Sequence, residues 1–306
     1  MWGHELKLLR LGACCLFPLL TLNGCANLKA VNTASDALVS ASDSWTNVET
    51  VPADSCHKSS QLSVSPVGCN EQEKLTKGLG DTDKILTAYF LALKHAADTK
   101  NFNVDSGITT LGNSAANIPK INAGQVNAIT GLATFLVGLY EAHKRTQIIA
   151  SLIQEGGPKA RAVLDVLHDT VVPDLQGIVQ TETVDLDLAF DSYLRRQRST
   201  MDHASLDCAN GPHVQNFQET DPARPMGPAF LLAVEYCQRL ADVNRKTALL
   251  TQYSASLESA AKVISTLEND RSALGKQVTF KDIYKAVDTL HSDVQAIQKA
   301  FAGGAK

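Results

Sequence analysis

Apolar and small residues recur alternately three and four apart along four long stretches, the spacing that gathers them on one stripe of a helix. Leu28, Val31, Ser35, Leu38, Ser42 and Trp45 make the first stripe. Leu75, Leu79, Thr82, Leu86, Tyr89, Leu93 and Ala96 make the second, and Asn70-Glu71-Gln72-Glu73 ahead of it resembles a capping box. Leu240, Val243, Thr247, Leu250, Ser254, Leu257, Ala261 and Ile264 form a long third stripe. Ile283, Val287, Leu290, Val294, Ile297 and Phe301 form the fourth, with Thr279 placed to cap it and Gly303-Gly304 to stop it.

Two further helices lie between. Residues 122–155 read as helix up to Gly156-Gly157-Pro158, where glycine closes one helix and proline opens the next. From about 158 to 204 the composition is helical, with Pro173 expected to kink or split the element. Pro212, Pro222, Pro225 and Pro228 mark a loop, with Pro228 near the start of the long helix. Residues 50–70 and about 100–120 read as irregular, and no alternating strand of any length is found. The pattern predicts an all-α fold: one elongated multi-helix bundle of five to seven helices with coiled-coil-like heptad seams.

One helix stands apart. Gly124, Ala128, Gly131, Phe135, Gly138 and Ala142 run down one side of residues 121–142, and Val126, Ile129, Ala133, Leu136 and Tyr140 down another. A helix apolar on two faces sits at the centre of a bundle, meets a partner or enters a membrane. Glycine in mid-helix costs roughly 0.8–1 kcal/mol against alanine, which close backbone packing would offset. Gly124, Gly131, Phe135 and Gly138 are therefore candidates for an interaction helix, with the central-helix reading favoured.

The first residues carry the sharpest signal. Lys7 and Arg10 precede an apolar run, Leu11 to Leu22, of signal-peptide length and too short for a membrane span. The run meets Leu22-Asn23-Gly24-Cys25, which resembles the lipobox of bacterial lipoproteins. The resemblance implies cleavage of residues 1–24 and a diacylglyceryl thioether on Cys25. Its Ala26, in place of an aspartate, implies the outer membrane, facing the periplasm. A second match at Leu11-Gly12-Ala13-Cys14 has too short an apolar run before it. Only Ala26 and Asn27 separate Cys25 from the first helical stripe, so the body is expected close to the membrane. Residues 25–306 then form one helical domain.

Composition narrows the rest. Against 28 Lys and Arg stand 32 Asp and Glu; removing residues 1–24 takes away Lys7, Arg10 and Glu5 and leaves a mildly acidic chain without a basic block. Nucleic acid is excluded as a partner on that ground. Aromatics at 6% disfavour a sugar-stacking platform. Of seven cysteines, Cys14 and Cys15 leave with the signal and Cys25 takes the lipid. Cys56, Cys69, Cys208 and Cys237 remain, an even set suited to disulfides in an oxidising compartment. Three pairings are open; local ones, Cys56 with Cys69 and Cys208 with Cys237, are favoured, each stapling a loop (near 50–70 and 208–228).

Catalytic signals are sparse. Asp165 and His168, with Asp169 adjacent, have the spacing of a bundle metal site but no second copy. Asp185, Asp187 and Asp191 lack the glycine and terminal glutamate of a calcium loop. Arg195, Arg196 and Arg198 read as a solvated, cation-rich helix end. No nucleophile elbow, zinc-protease pair or phosphate loop is found, and no cofactor is expected. The expectation is a non-enzymatic lipoprotein that binds or scaffolds a protein partner in the cell envelope, self-association remaining open. Two alternatives stand: a membrane-active helical protein using residues 121–140, and a metal-dependent bundle enzyme.

Overall fold

The computed structural model describes residues 18–63, 68–98, 108–114, 118–139, 145–196, 206–208, 213–214, 228–272 and 281–302. They form α1 (Pro18–Glu49), α2 (Val51–Leu62), α3 (Asn70–Ala97), α4 (Ile108–Ser114), α5 (Ala123–Leu139), α6 (Arg145–Ser151), α7 (Gly157–Val166), α8 (Val172–Arg196), α9 (Pro228–Ser272) and α10 (Lys281–Ala302). Helices α6, α7 and α8 run end to end through two π turns, Leu152–Gly156 and Leu167–Val171. Six long rods thus carry the all-α bundle, and the short helices α2 and α4 add to it. Two residues on each side, β1 (Leu206–Asp207) and β2 (His213–Val214), pair antiparallel as a minimal hairpin.

Both prolines expected to break the 145–196 rod sit just after a π turn. In an α-helix, proline lacks the N–H that would reach the carbonyl four residues back, and its ring clashes with that carbonyl. For Pro158 and Pro173 that carbonyl belongs to Gln154 and Asp169, each inside a π turn, where the ladder steps five residues instead of four. The wider turn takes up the mismatch and the rod continues. Tyr89, fully buried, donates its hydroxyl to the Leu152 carbonyl at 3.0 Å, satisfying an acceptor at the first of these turns. Gly156 is needed there: a Cβ would lie 2.5 Å from Phe135 Cε1 and 2.9 Å from Tyr89 Cε2.

The heptad stripes pack much as their spacing implies. Every position of the α3 stripe is buried, and so are Val31, Ser35, Leu38, Ser42 and Trp45 on α1. Trp45 sits edge-on to Phe90 and Tyr253, and its indole N–H donates to Ser256 at 2.9 Å. On α10, Ile283 through Ile297 are buried while Phe301 is exposed. The α9 stripe is partly misplaced, because Thr247 faces solvent and Lys246 beside it is buried. α9 and α10 form an antiparallel hairpin joined by Ser259 and Asp293.

Three local expectations are corrected. Residues 51–62, read as irregular, form α2, with Pro52 in its first turn and Cys56 tied to Cys69. Residues 108–114, also read as irregular, form α4. Asn70 is not a cap: Cys69 occupies that position without a side-chain capping hydrogen bond, and Glu73 N–H donates to the Cys69 carbonyl. The reciprocal box occurs instead at α5, where Asn122 Oδ1 accepts from Gln125 N and Gln125 Oε1 from Asn122 N. Thr279, Gly303 and Gly304 lie outside the described residues.

The direction of the rods places the two ends of the molecule. Trp45 meets Ser256, and further along the chain Lys58 meets Asp242. Numbers rise on α1–α2 as they fall on α9, so the two run antiparallel. The start of α1 lies toward the C-terminal end of α9, and α2 lies toward its N-terminal end. There a second, smaller apolar cluster (Leu186, Phe190, Leu194, Ala233, Tyr236, Cys237) forms apart from the main core.

Candidate functional site

Two adjoining hollows open at the α2 end of the bundle, about 310 and 230 Å³ in volume. They share Gln61, Leu62, Leu186 and Arg239, and form one cleft between α2, α8 and α9. One half is polar, with Lys58, Gln238, Glu182 and Asp242. The other is apolar and aromatic, with Phe190, Tyr193, Leu232 and Tyr236. Phe190 and Tyr236 pack ring against ring at 4.5 Å, and Tyr236 donates its hydroxyl to Asp187 at 2.7 Å. Burial first, then that hydrogen bond, raises the Tyr236 phenol above its ordinary range.

Both disulfides flank this cleft. Cys56, on the α2 wall, bonds Cys69 at the start of α3; Cys237, next to Tyr236 and Gln238 on α9, bonds Cys208 beside the hairpin. The two local pairings favoured from spacing are those present. They tie the cleft walls to neighbouring segments, which limits what a ligand would have to order on binding.

Beneath the polar half lies an ionic network that sequence pattern missed. Lys246 is 6% exposed and donates to Glu182 at 2.7 Å and Ser55 at 3.1 Å, with Asp54 at 2.7 Å. Lys58 pairs with Asp242 at 2.6 Å and Asp54 at 2.9 Å, and Arg245 pairs with Asp242. Three cations thus meet three carboxylates, the condition under which buried charge is tolerated. Burial would raise the Asp54 carboxyl, but hydrogen bonds from Lys246 and Lys58 outweigh it and hold it below its ordinary value. Asp242 is lowered in the same way, burial being overcome by the Lys58 hydrogen bond and the charges of Lys246, Lys58 and Arg245. Lys58 is raised: burial opposes its charge, and the bonds to Asp242 and Asp54 prevail. Ser55 and Lys246 have the makings of a nucleophile and its base. Ser55, however, is 0% exposed and Lys246 is gripped by carboxylates, so this pair works as structure.

The sequence-derived candidates fall in different places. Cys25 lies within the helical backbone of α1, and its side chain lies outside the described residues, as does Arg198. Of the interaction-helix residues, Phe135 packs against Gly156, whereas Gly131 and Gly138 face open space. Gly124 is exposed, with only the neighbouring cap Asn122 near it. The central-helix reading is corrected accordingly: α5 buries one face, through Ile129, Leu132, Ala133, Leu136 and Leu139, while on the glycine face Ala128 and Phe135 pack against the core and Gly131 and Gly138 have no neighbour among the described residues. Among the described residues no helix is long and apolar enough to cross a membrane.

His168 Nδ1 lies 2.6 Å from Asp169 Oδ1 rather than pairing with Asp165, which is exposed. Among the described residues no three His, Cys, Asp or Glu side chains converge to hold a metal. Asp185 accepts from Ser59 and Asp187 from Tyr236, so two carboxylates of the acidic run brace α8 against α2 and α9. Asp191 offers its carbonyl to Arg195, and Arg195 and Arg196 are exposed at the end of α8. The chain matches no protein-family model, no curated protein and no solved structure.

Proposed function

We propose that this chain is a lipid-anchored envelope protein that binds a protein partner, without catalysis, through the cleft between α2, α8 and α9. The observation that carries the reading is the placement of that cleft at the end of the bundle opposite the start of α1. From Leu28 to Lys58 the helical path is ~45 Å at 1.5 Å rise per residue. An acyl thioether on Cys25, as the Leu22-Asn23-Gly24-Cys25 motif implies, would hold the start of α1 at one leaflet. With only Ala26 and Asn27 as tether, the cleft would be held away from the membrane at a fixed height, facing the periplasm where the anchor is in the outer membrane. The flanking disulfides suit a rigid binding surface in an oxidising compartment.

The test is in-cell crosslinking followed by affinity capture and mass spectrometry on three forms: wild type, Cys25→Ser and Gln61→Trp. Gln61 is exposed and lines both hollows, so tryptophan there obstructs the cleft without touching the core. A partner captured by wild type, reduced about tenfold by Gln61→Trp and lost on release from the membrane by Cys25→Ser, supports the reading. Capture unaffected by Gln61→Trp overturns the cleft as the binding surface. Capture unaffected by Cys25→Ser overturns the role of the anchor.

A further inference from the structure

The geometry points to a peptide carboxyl terminus as the occupant of this cleft: its carboxylate between Lys58 and Arg239, its last side chain, apolar, among Phe190, Tyr193 and Leu232. The inference rests on the cleft being the binding surface and adds the chemistry of what enters it.

Charge at the mouth supplies the first argument. The carboxylates of the polar half are spent inside, with Asp242 18% and Glu182 5% exposed at the side chain. The cations Lys58 and Arg239 are each 36% exposed. Glu235, 56% exposed, is the acid that shares the mouth with them, and it is already paired with Arg239. Both cations also keep donors in reserve. The ammonium of Lys58 has three donors and uses two, on Asp54 and Asp242. Arg239 places Nε and Nη2 on a single oxygen of Glu235, at 3.1 and 2.8 Å, leaving Nη1 without a protein acceptor among the described residues. That pair lies within one helix turn at the surface, a weak type that a ligand carboxylate can displace or share. Carboxylate binding by arginine is strong where two N–H groups act together.

The apolar half supplies the second argument. Its wall on α8 runs from Leu186 to Tyr193, about 10 Å at 1.5 Å per residue. That length accommodates one or two side chains and not an extended long acyl chain. Tyr193 is 40% exposed within the lining, and Leu231, 61% exposed, lies one turn before Glu235 on the same side of α9. Gln61 between the halves and Gln238 in the polar half offer amides that can both donate and accept, as a peptide backbone requires. A fatty acid shares the carboxylate and the apolar body, but it has no use for these amides.

The test uses the purified full chain in detergent and isothermal titration. The probes are N-acetylated glycine–serine peptides ending in phenylalanine, with the C-terminus free or amidated, and laurate as the lipid alternative. The free acid is expected to bind at least about tenfold more tightly than the amide, and Arg239→Gln to remove that difference. Glu235→Gln, which frees Arg239, is expected to tighten the acid severalfold and leave the amide unchanged. Tyr193→Ser is expected to weaken both. These positions are on the surface, so far-ultraviolet circular dichroism should show the variants folded. Equal binding of acid and amide, no binding of either, or laurate that outcompetes the peptide would each overturn the inference. If peptides fail while Gln61→Trp still abolishes partner capture, only the ligand class is wrong. If Gln61→Trp leaves capture intact, the underlying reading has failed.

Discussion

Asp83 gives the sharpest test of the fold's electrostatics. It is 8% exposed, and its Oδ1 has no hydrogen-bond partner among the described residues. It faces Glu49, the last residue of α1, where the helix dipole already disfavours negative charge. Around the two carboxyls stand Asp43 on α1, Asp81 and Lys84 on α3, and Tyr253 on α9. Lys84 is the single cation of this group, and it also pairs with Asp81 at 3.5 Å. Burial, with the charge of Glu49 and the hydrogen bond between them, pushes Asp83 from 3.8 up to about 8. Glu49 is raised as well, chiefly by burial.

A carboxyl whose folded pKa is raised binds its proton more tightly in the native state than in the unfolded one. Its contribution is therefore fully present below the unfolded value near 3.8 and is lost as pH rises through about 8. Four units at about 1.4 kcal/mol each amount to on the order of 5 kcal/mol. Asp83→Asn keeps the shape, removes the ionisation and leaves an amide able to donate to Glu49. Urea denaturation followed by circular dichroism, at steps from about pH 5 to pH 9, should show wild type losing several kcal/mol while the variant loses far less. The network around Lys246 does not confuse this window: the lowered Asp54 and Asp242 release stability only below about pH 4, and the raised Lys58 only above about pH 10.5. Parallel curves for the two proteins, or a variant less stable than wild type at pH 9, would refute the reasoning.

Lys246→Met should destabilise by about 3–5 kcal/mol, because Glu182 and Asp54 lose their buried partner, and adding Glu182→Leu should recover part of that loss in the same urea assay. Two glycines should respond oppositely to alanine. Gly131→Ala, in open space on α5, should raise stability by up to about 1 kcal/mol, whereas Gly156→Ala should lower the melting temperature because its Cβ meets Phe135 and Tyr89. Replacing Cys56 and Cys69 together by serine should cost roughly 3 kcal/mol, for a loop with a sequence separation of 13, and loosen the α2 wall of the cleft, read as faster hydrogen exchange at 55–62.

What could be read along the chain was what depends on near neighbours in sequence. Helical spacing marked the stripes of α1, α3 and α10, since a side chain three or four residues on lies on the same face whatever the rest of the fold does. Cysteine count and loop spacing pointed to both disulfides. The same local logic failed where distant groups decide. α2 has few apolar residues and no stripe, and it is helical because Cys69, Asp242 and Lys246 hold it. Pro158 and Pro173 reads as breaks, yet each follows a π turn, the first of which is supported by Tyr89 from α3. Lys246 falls one place off the α9 stripe and looks like a surface lysine until Glu182 and Asp54 are brought around it. The apolar faces of α5 cannot be told apart by periodicity, and packing chose the Ile129–Leu136 side while leaving Gly131 and Gly138 open. The helical class was legible because hydrophobic period is a property of the chain. The cleft was not: its α2 wall stands more than a hundred residues along the chain from its α8 and α9 walls, and the charge on its mouth depends on which carboxylates the fold has already used.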